Sequence, residues 1–200
     1  MKNIAILSTI CLLLACSSCV PSLNPLYMEQ DLIFDSSLIG VWGDKDTNET
    51  WVLASCPRRF EYILTYTDPS GKKGEFGARL VRVGDKTFLD IVPVNPGFTQ
   101  SDFYQGHFFS THTFAHIVKD GSSVRLSVLE PHWLKEAVAM NPDVIRHQKI
   151  RGEIVLTSPP KETQKFLLAN LNNREAFSEP IELTRKKYAR ALVTTITDVL

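Results

Sequence analysis

The chain opens on a run of apolar residues and then changes character twice. Lys2 is followed by an almost uninterrupted apolar stretch from Ile4 to Ala15, too short for the roughly 20 residues that a helix needs to span a bilayer core. It matches the apolar region of a cleaved export signal. Ser18 to Asp35, with Pro21, Asn24 and Pro25, has no clear period and reads as a tether leading into a docking segment. Leu26, Tyr27, Leu32, Ile33 and Phe34 supply the apolar side chains with which that segment packs on the domain.

From Leu38 onward the pattern is one of short β-rich runs separated by turn residues. Strands are expected over Leu38 to Trp42, Thr50 to Ala54, Phe60 to Thr67, Gly74 to Val83, Thr87 to Val92, His107 to Lys119 and Ser123 to Leu129. The turns between them have a chemical basis. Asp68-Pro69-Ser70-Gly71 offers Pro at a turn position and Gly where φ must be positive, Gly84-Asp85 makes a tight connection, and Asp120-Gly121 signals a hairpin. Alternation places Phe76, Ala78 and Leu80 opposite Glu75 and Arg79, and Val124, Leu126 and Val128 opposite Ser123, Arg125 and Ser127. One face of the sheet is therefore buried. Successive hairpins make an antiparallel meander, which closes into a barrel or folds over as a sandwich, and closure removes exposed strand edges.

After Leu129 the period lengthens. Pro131 to Met140 predicts a helix with Trp133, Leu134, Ala137, Val138 and Met140 on its apolar side, stopped by Asn141-Pro142. Glu153 to Leu156 reads as a strand, Pro159 to Leu171 as a second helix capped by Ser158, and Ile181 to Arg185 as a closing strand. The ending places Arg185, Lys186, Lys187 and Arg190 before an apolar stripe. This tail either packs on the domain or forms a basic amphipathic patch against anionic lipid. The expected organisation is a signal over 1–15, a tether and docking segment over 16–35, one mainly β domain with accessory helices over 36–187, and a tail over 188–200.

Composition narrows the function classes. The 200 residues carry 22 Lys plus Arg against 22 Asp plus Glu, with 44% hydrophobic residues, enough for one domain with a real core. Zero net charge argues against a nucleic-acid binder, which needs surplus cations to displace counterions from phosphates. Four cysteines are too few for a disulfide scaffold of this length. Cys11 leaves with the signal, and Cys19 and Cys56 could pair in an oxidising compartment.

Leu13-Leu14-Ala15-Cys16 resembles the lipobox of bacterial lipoproteins. The resemblance implies lipidation of the Cys16 thiol, cleavage before it and acylation of the new amino terminus, with Cys19 as the alternative modified residue. Several acyl chains on one residue give stable anchoring where one is marginal. Ser17 after the anchor is compatible, in that class, with sorting to the outer membrane of a two-membrane envelope. Gly40-Val41-Trp42 resembles the Gly-x-Trp that opens the first strand of lipocalins. This implies an antiparallel barrel whose closed end the indole plugs. The chain is also similar to uncharacterised bacterial lipoproteins beginning near Ser22-Leu23-Asn24-Pro25-Leu26-Tyr27, a likeness that brings no known activity.

Candidate chemistry is sparse. His112 and His116 sit on an expected strand, where residues four apart lie about 13 Å from one another at ~3.3 Å per residue, too far to share one ion. His107, His132 and His147 are scattered. No Gly-x-Ser-x-Gly and no phosphate-cradling glycine loop occurs, so the expectation is a non-enzyme without metal or cofactor. The connection Pro93 to Gly106 is long, and its Phe98, Phe103 and Tyr104 could face a ligand together with Trp42. Two readings follow: an anchored barrel that holds a small apolar or amphipathic molecule, or an anchored envelope protein with a filled core that meets another protein.

Overall fold

A computed structural model describes residues 19–56, 60–94, 107 and 109–187. The strands are β1 (Leu32–Ile33), β2 (Gly40–Gly43), β3 (Thr50–Cys56), β4 (Glu61–Thr67), β5 (Lys73–Val83), β6 (Lys86–Pro93), β7 (Thr113–Asp120), β8 (Ser123–Val128), β9 (His147–Ile150), β10 (Glu153–Leu156) and β11 (Ile181–Arg185). Two helices, α1 (Pro131–Met140) and α2 (Pro160–Asn170), lie between β8 and β11. Each begins with proline in its first turn, where the missing N–H costs nothing.

Strands β2 to β8 follow one another as an antiparallel meander. The ring is then closed by β11, which inserts between β8 and β2, while β5, the longest strand, pairs with both β4 and β6 within the meander. The result is a closed eight-stranded antiparallel barrel, lipocalin-like in kind, with accessory helices on its outside. Gly84 and Gly121, both at positive φ, begin the two-residue turns that join β5 to β6 and β7 to β8. The expected strand from His107 is shorter than its sequence pattern suggests. Pairing with β6 begins only at Thr113, and Phe109 is 82% exposed.

The sheet is buried on both faces over part of its width, where alternation alone predicted one apolar face. Leu80, Leu89 and Ala115 point into the barrel. Their neighbours Val81, Phe88 and Phe114 point outward and are equally buried, under α1, α2 and the amino-terminal segment. Two cores therefore share one wall: a ring of inward side chains, and an outer layer containing Leu134, Leu156 and Leu167. Beside them β9 and β10 form a separate two-stranded hairpin, of which β9 carried no sequence signal.

The amino-terminal segment is part of this outer layer from Val20 onward. Ser22 exchanges backbone hydrogen bonds with His112, and Pro21 and Leu23 bond to Leu156, so the chain is stitched between the β7 entry and β10. Asn24 donates to the carbonyls of Thr157 and Ser158, and Gln164 of α2 donates to the carbonyl of Leu26. The central contact is Asp90, a buried carboxylate on the outward face of β6. Its Oδ2 accepts the Leu26 N–H at 2.8 Å, and its Oδ1 lies 2.6 Å from His112 Nδ1. Replacing Asp90 by Ala leaves the Leu26 donor buried without an acceptor. The expected cost is about 2–4 kcal/mol in urea unfolding, well above that of Asp68→Ala in an exposed turn.

Candidate functional site

Gly40 and Trp42, singled out by sequence, lie at one end of the barrel, where a 3-10 turn over Ser36–Leu38 leads into β2. Asp35 caps that turn by accepting the Ser37 N–H at 2.9 Å. The Tyr62 hydroxyl accepts the Asp35 N–H and donates to the Asp35 carbonyl, while Phe34 stacks on the Tyr62 ring at 5.0 Å. Burial pushes the Tyr62 phenol up to about 12, so it stays a neutral donor at any physiological pH.

Trp42 lies inside this plug, 1% exposed, with its Nε1 donating to the Leu38 carbonyl at 2.8 Å. From the other side of the closing seam, the Arg185 guanidinium covers the indole at 4.4 Å from the ring centre and donates to the carbonyls of Ile39 and Ser37. Gly40 makes room for it. A Cβ there would lie 2.5 Å from Arg185 Nη1, and the residue holds φ at 144°, where side chains are strained. One cation thus bonds the turn, covers the indole and fixes β11 beside β2.

Among the described residues, the interior around Trp42 is occupied by side chains, including Leu53, Leu64, Leu80, Leu89 and Leu126. The void bounded by Leu38, Trp42, Leu53, Leu89, Ile117 and Leu126 holds about 10 Å³, no more than one water could fill, and its apolar lining offers a water no partners. Trp51, the cross-strand partner of Trp42 and also a neighbour of this void, donates through Nε1 to Glu49 at 2.7 Å and meets Tyr66 edge-on at 5.4 Å. Larger spaces lie outside the barrel, in open grooves. One of about 470 Å³ is bordered by Leu171, Arg174 and Glu179, and another of about 520 Å³ by Arg146, His147 and Glu162.

Trp42 is the one sequence-selected barrel residue that the structure describes; Phe98, Phe103 and Tyr104 lie outside the described residues, as does Cys16. Cys19 is exposed, and Cys19 and Cys56 are both free thiols. His112 and His116 turn to different partners: His112 to Asp90, and His116 to the Phe88 ring at 5.4 Å. Among the described residues no three His, Cys, Asp or Glu side chains converge as a metal site, and no helix is long and apolar enough to cross a membrane. Sequence reasoning passed over Asp90 and Arg185. An acid within Phe88-Leu89-Asp90-Ile91-Val92 was the available signal for the first; the second was read only as part of a basic cluster.

The Gly40–Arg185 contact predicts a coupling. Arg185→Ala is expected to cost about 1–2 kcal/mol, from the lost cation–π contact and two carbonyl bonds. Gly40→Ala should cost a similar amount or more, and less than additively in the Arg185→Ala background, where the clash is gone and the backbone strain remains, as a double-mutant cycle in urea would read. His116 predicts a pH effect. Burial, and secondarily the Lys86 ammonium, hold its imidazole below the ordinary value of 6.5. The unfolded chain therefore takes up this proton first, and the folded state loses stability as pH falls below about 6.5 until the folded imidazole itself titrates. His116→Gln should flatten that part of the stability–pH curve. No family model matches this chain, and no curated protein or solved structure matches it significantly.

Proposed function

We propose that the chain is a lipid-anchored protein of a bacterial envelope, held through Cys16, that works through its outer surface and not through a barrel cavity. The observation that carries the choice between cavity and surface is the filled interior: about 10 Å³ beside Trp42, against the few hundred cubic ångströms that a small-molecule site needs. The anchor itself rests on the lipobox resemblance of Leu13-Leu14-Ala15-Cys16 and on the short apolar run before it. The packing agrees with that assignment. Val20 is already buried, so four Cα steps, at most about 14 Å, separate the acylated residue from the folded domain.

An outer-membrane location fits Ser17 after the anchor, and an envelope protein fits the open grooves as a partner. Intact-mass analysis of the protein purified from membranes should find an amino terminus at Cys16 carrying acyl chains, and Cys16→Ser should leave the signal uncleaved and the mass unmodified. A different, unacylated terminus removes the anchor. Titration with a fluorescent fatty acid should show no saturable one-to-one binding; stoichiometric binding that quenches tryptophan would restore the cavity reading.

A further inference from the structure

The direction in which the amino-terminal segment leaves the domain is fixed by its pairing. Ser22 pairs with Leu156 in parallel, so Cys19, three residues earlier, falls beside Glu153 at the start of β10. Cys19, Val20, Pro21, Lys135, Glu153 and Ile154 indeed line one narrow crevice. Because the strands run parallel, Cys19 lies at the end of β10 next to the turn that joins β9 to β10. That turn is Arg151-Gly152, with φ values of 52° and 87°, a conformation that ordinarily selects Asn or Gly at its first position. Here it holds a basic side chain at the apex.

The apex has a distinctive surface. Ile150 is 49% exposed, and Lys149 and Arg151 on either side are exposed and form no ion pair among the described residues. Glu153, the cross-strand partner of Ile150, is paired with Lys135 at 2.9 Å. An apolar side chain between two unpaired cations is the pattern of a segment that lies at a lipid interface, with its apolar group among the acyl chains and its cations on the phosphates.

We propose that the β9–β10 hairpin is a foot that rests on an anionic bilayer, Ile150 entering the interface and Lys149 and Arg151 contacting lipid phosphates. The proposal builds on the Cys16 anchor. Three Cα steps, at most about 11 Å, join Cys16 to Cys19, so the acylated residue keeps this hairpin within reach of the headgroups.

The test uses the full acylated chain with Cys19→Ser and Cys56→Ser, a polarity-sensitive fluorophore at Ile150→Cys, and vesicles of phosphatidylcholine with or without phosphatidylglycerol. In the anionic vesicles the fluorophore should shift to the blue and be quenched by lipid-borne nitroxide. Lys149→Glu with Arg151→Glu should lower the ratio of docked to free hairpin roughly tenfold or more, while Lys149→Arg with Arg151→Lys leaves it unchanged. A fluorophore that stays as accessible to aqueous iodide as in detergent, on a protein whose mass includes the acyl chains, overturns the foot and leaves the anchor standing. A mass without acyl chains overturns both.

Discussion

A barrel exists only if its last strand reaches the gap left by its first, and in this chain that requirement falls on five residues, Ile181–Arg185. Between β8 and β11 the chain travels through two helices and a hairpin, yet it must return to pair with Leu126 through Ser123 on one side and with Gly43 and Trp42 on the other. The pairing with β2 is short, two residues in register. Arg185 reinforces it, because its guanidinium spans from β11 to the carbonyls before β2 and to the face of Trp42. The closing seam and the plug at the closed end are thus one structure.

The excursion between β8 and β11 also explains the second core. Helices placed there have to bury their apolar sides somewhere, and the outward face of β5 to β7 receives them, through Val81, Val83 and Phe88. A wall apolar on both faces cannot be exposed to water on either, so the outer layer is as necessary to the barrel as its interior. The amino-terminal segment completes that layer. Asp90 is the buried carboxyl group within it, tolerated because both of its oxygens are occupied.

Most of the architecture was legible in the sequence because it rests on local signals. The strand period, the glycine turns at Gly84 and Gly121, the prolines that open α1 and α2 and the final run at Ile181 place the elements close to where they lie. What escaped was decided by tertiary contact. Leu80-Val81 and Phe88-Leu89 are consecutive apolar pairs that break the alternation, which betrayed a second buried face only after the helices were seen to cover it. His147–Ile150 lacks a strand pattern because most of it is exposed and it pairs with a single neighbour. The site was less legible than the fold. Gly40 and Trp42 stood out, but the cation that joins them lies 145 and 143 positions away, and no local spacing connects an arginine to a glycine across a seam.

The stitching of residues 21–23 also has a mechanical meaning. Ser22 and His112 exchange two backbone bonds, and Pro21 and Leu23 make two more with Leu156. All four run across the direction of the chain, so tension on the amino terminus loads them together in shear, and none can open first as in a zipper. The segment acts as a riveted strap, and a load on it passes into the β7 entry and β10 at once.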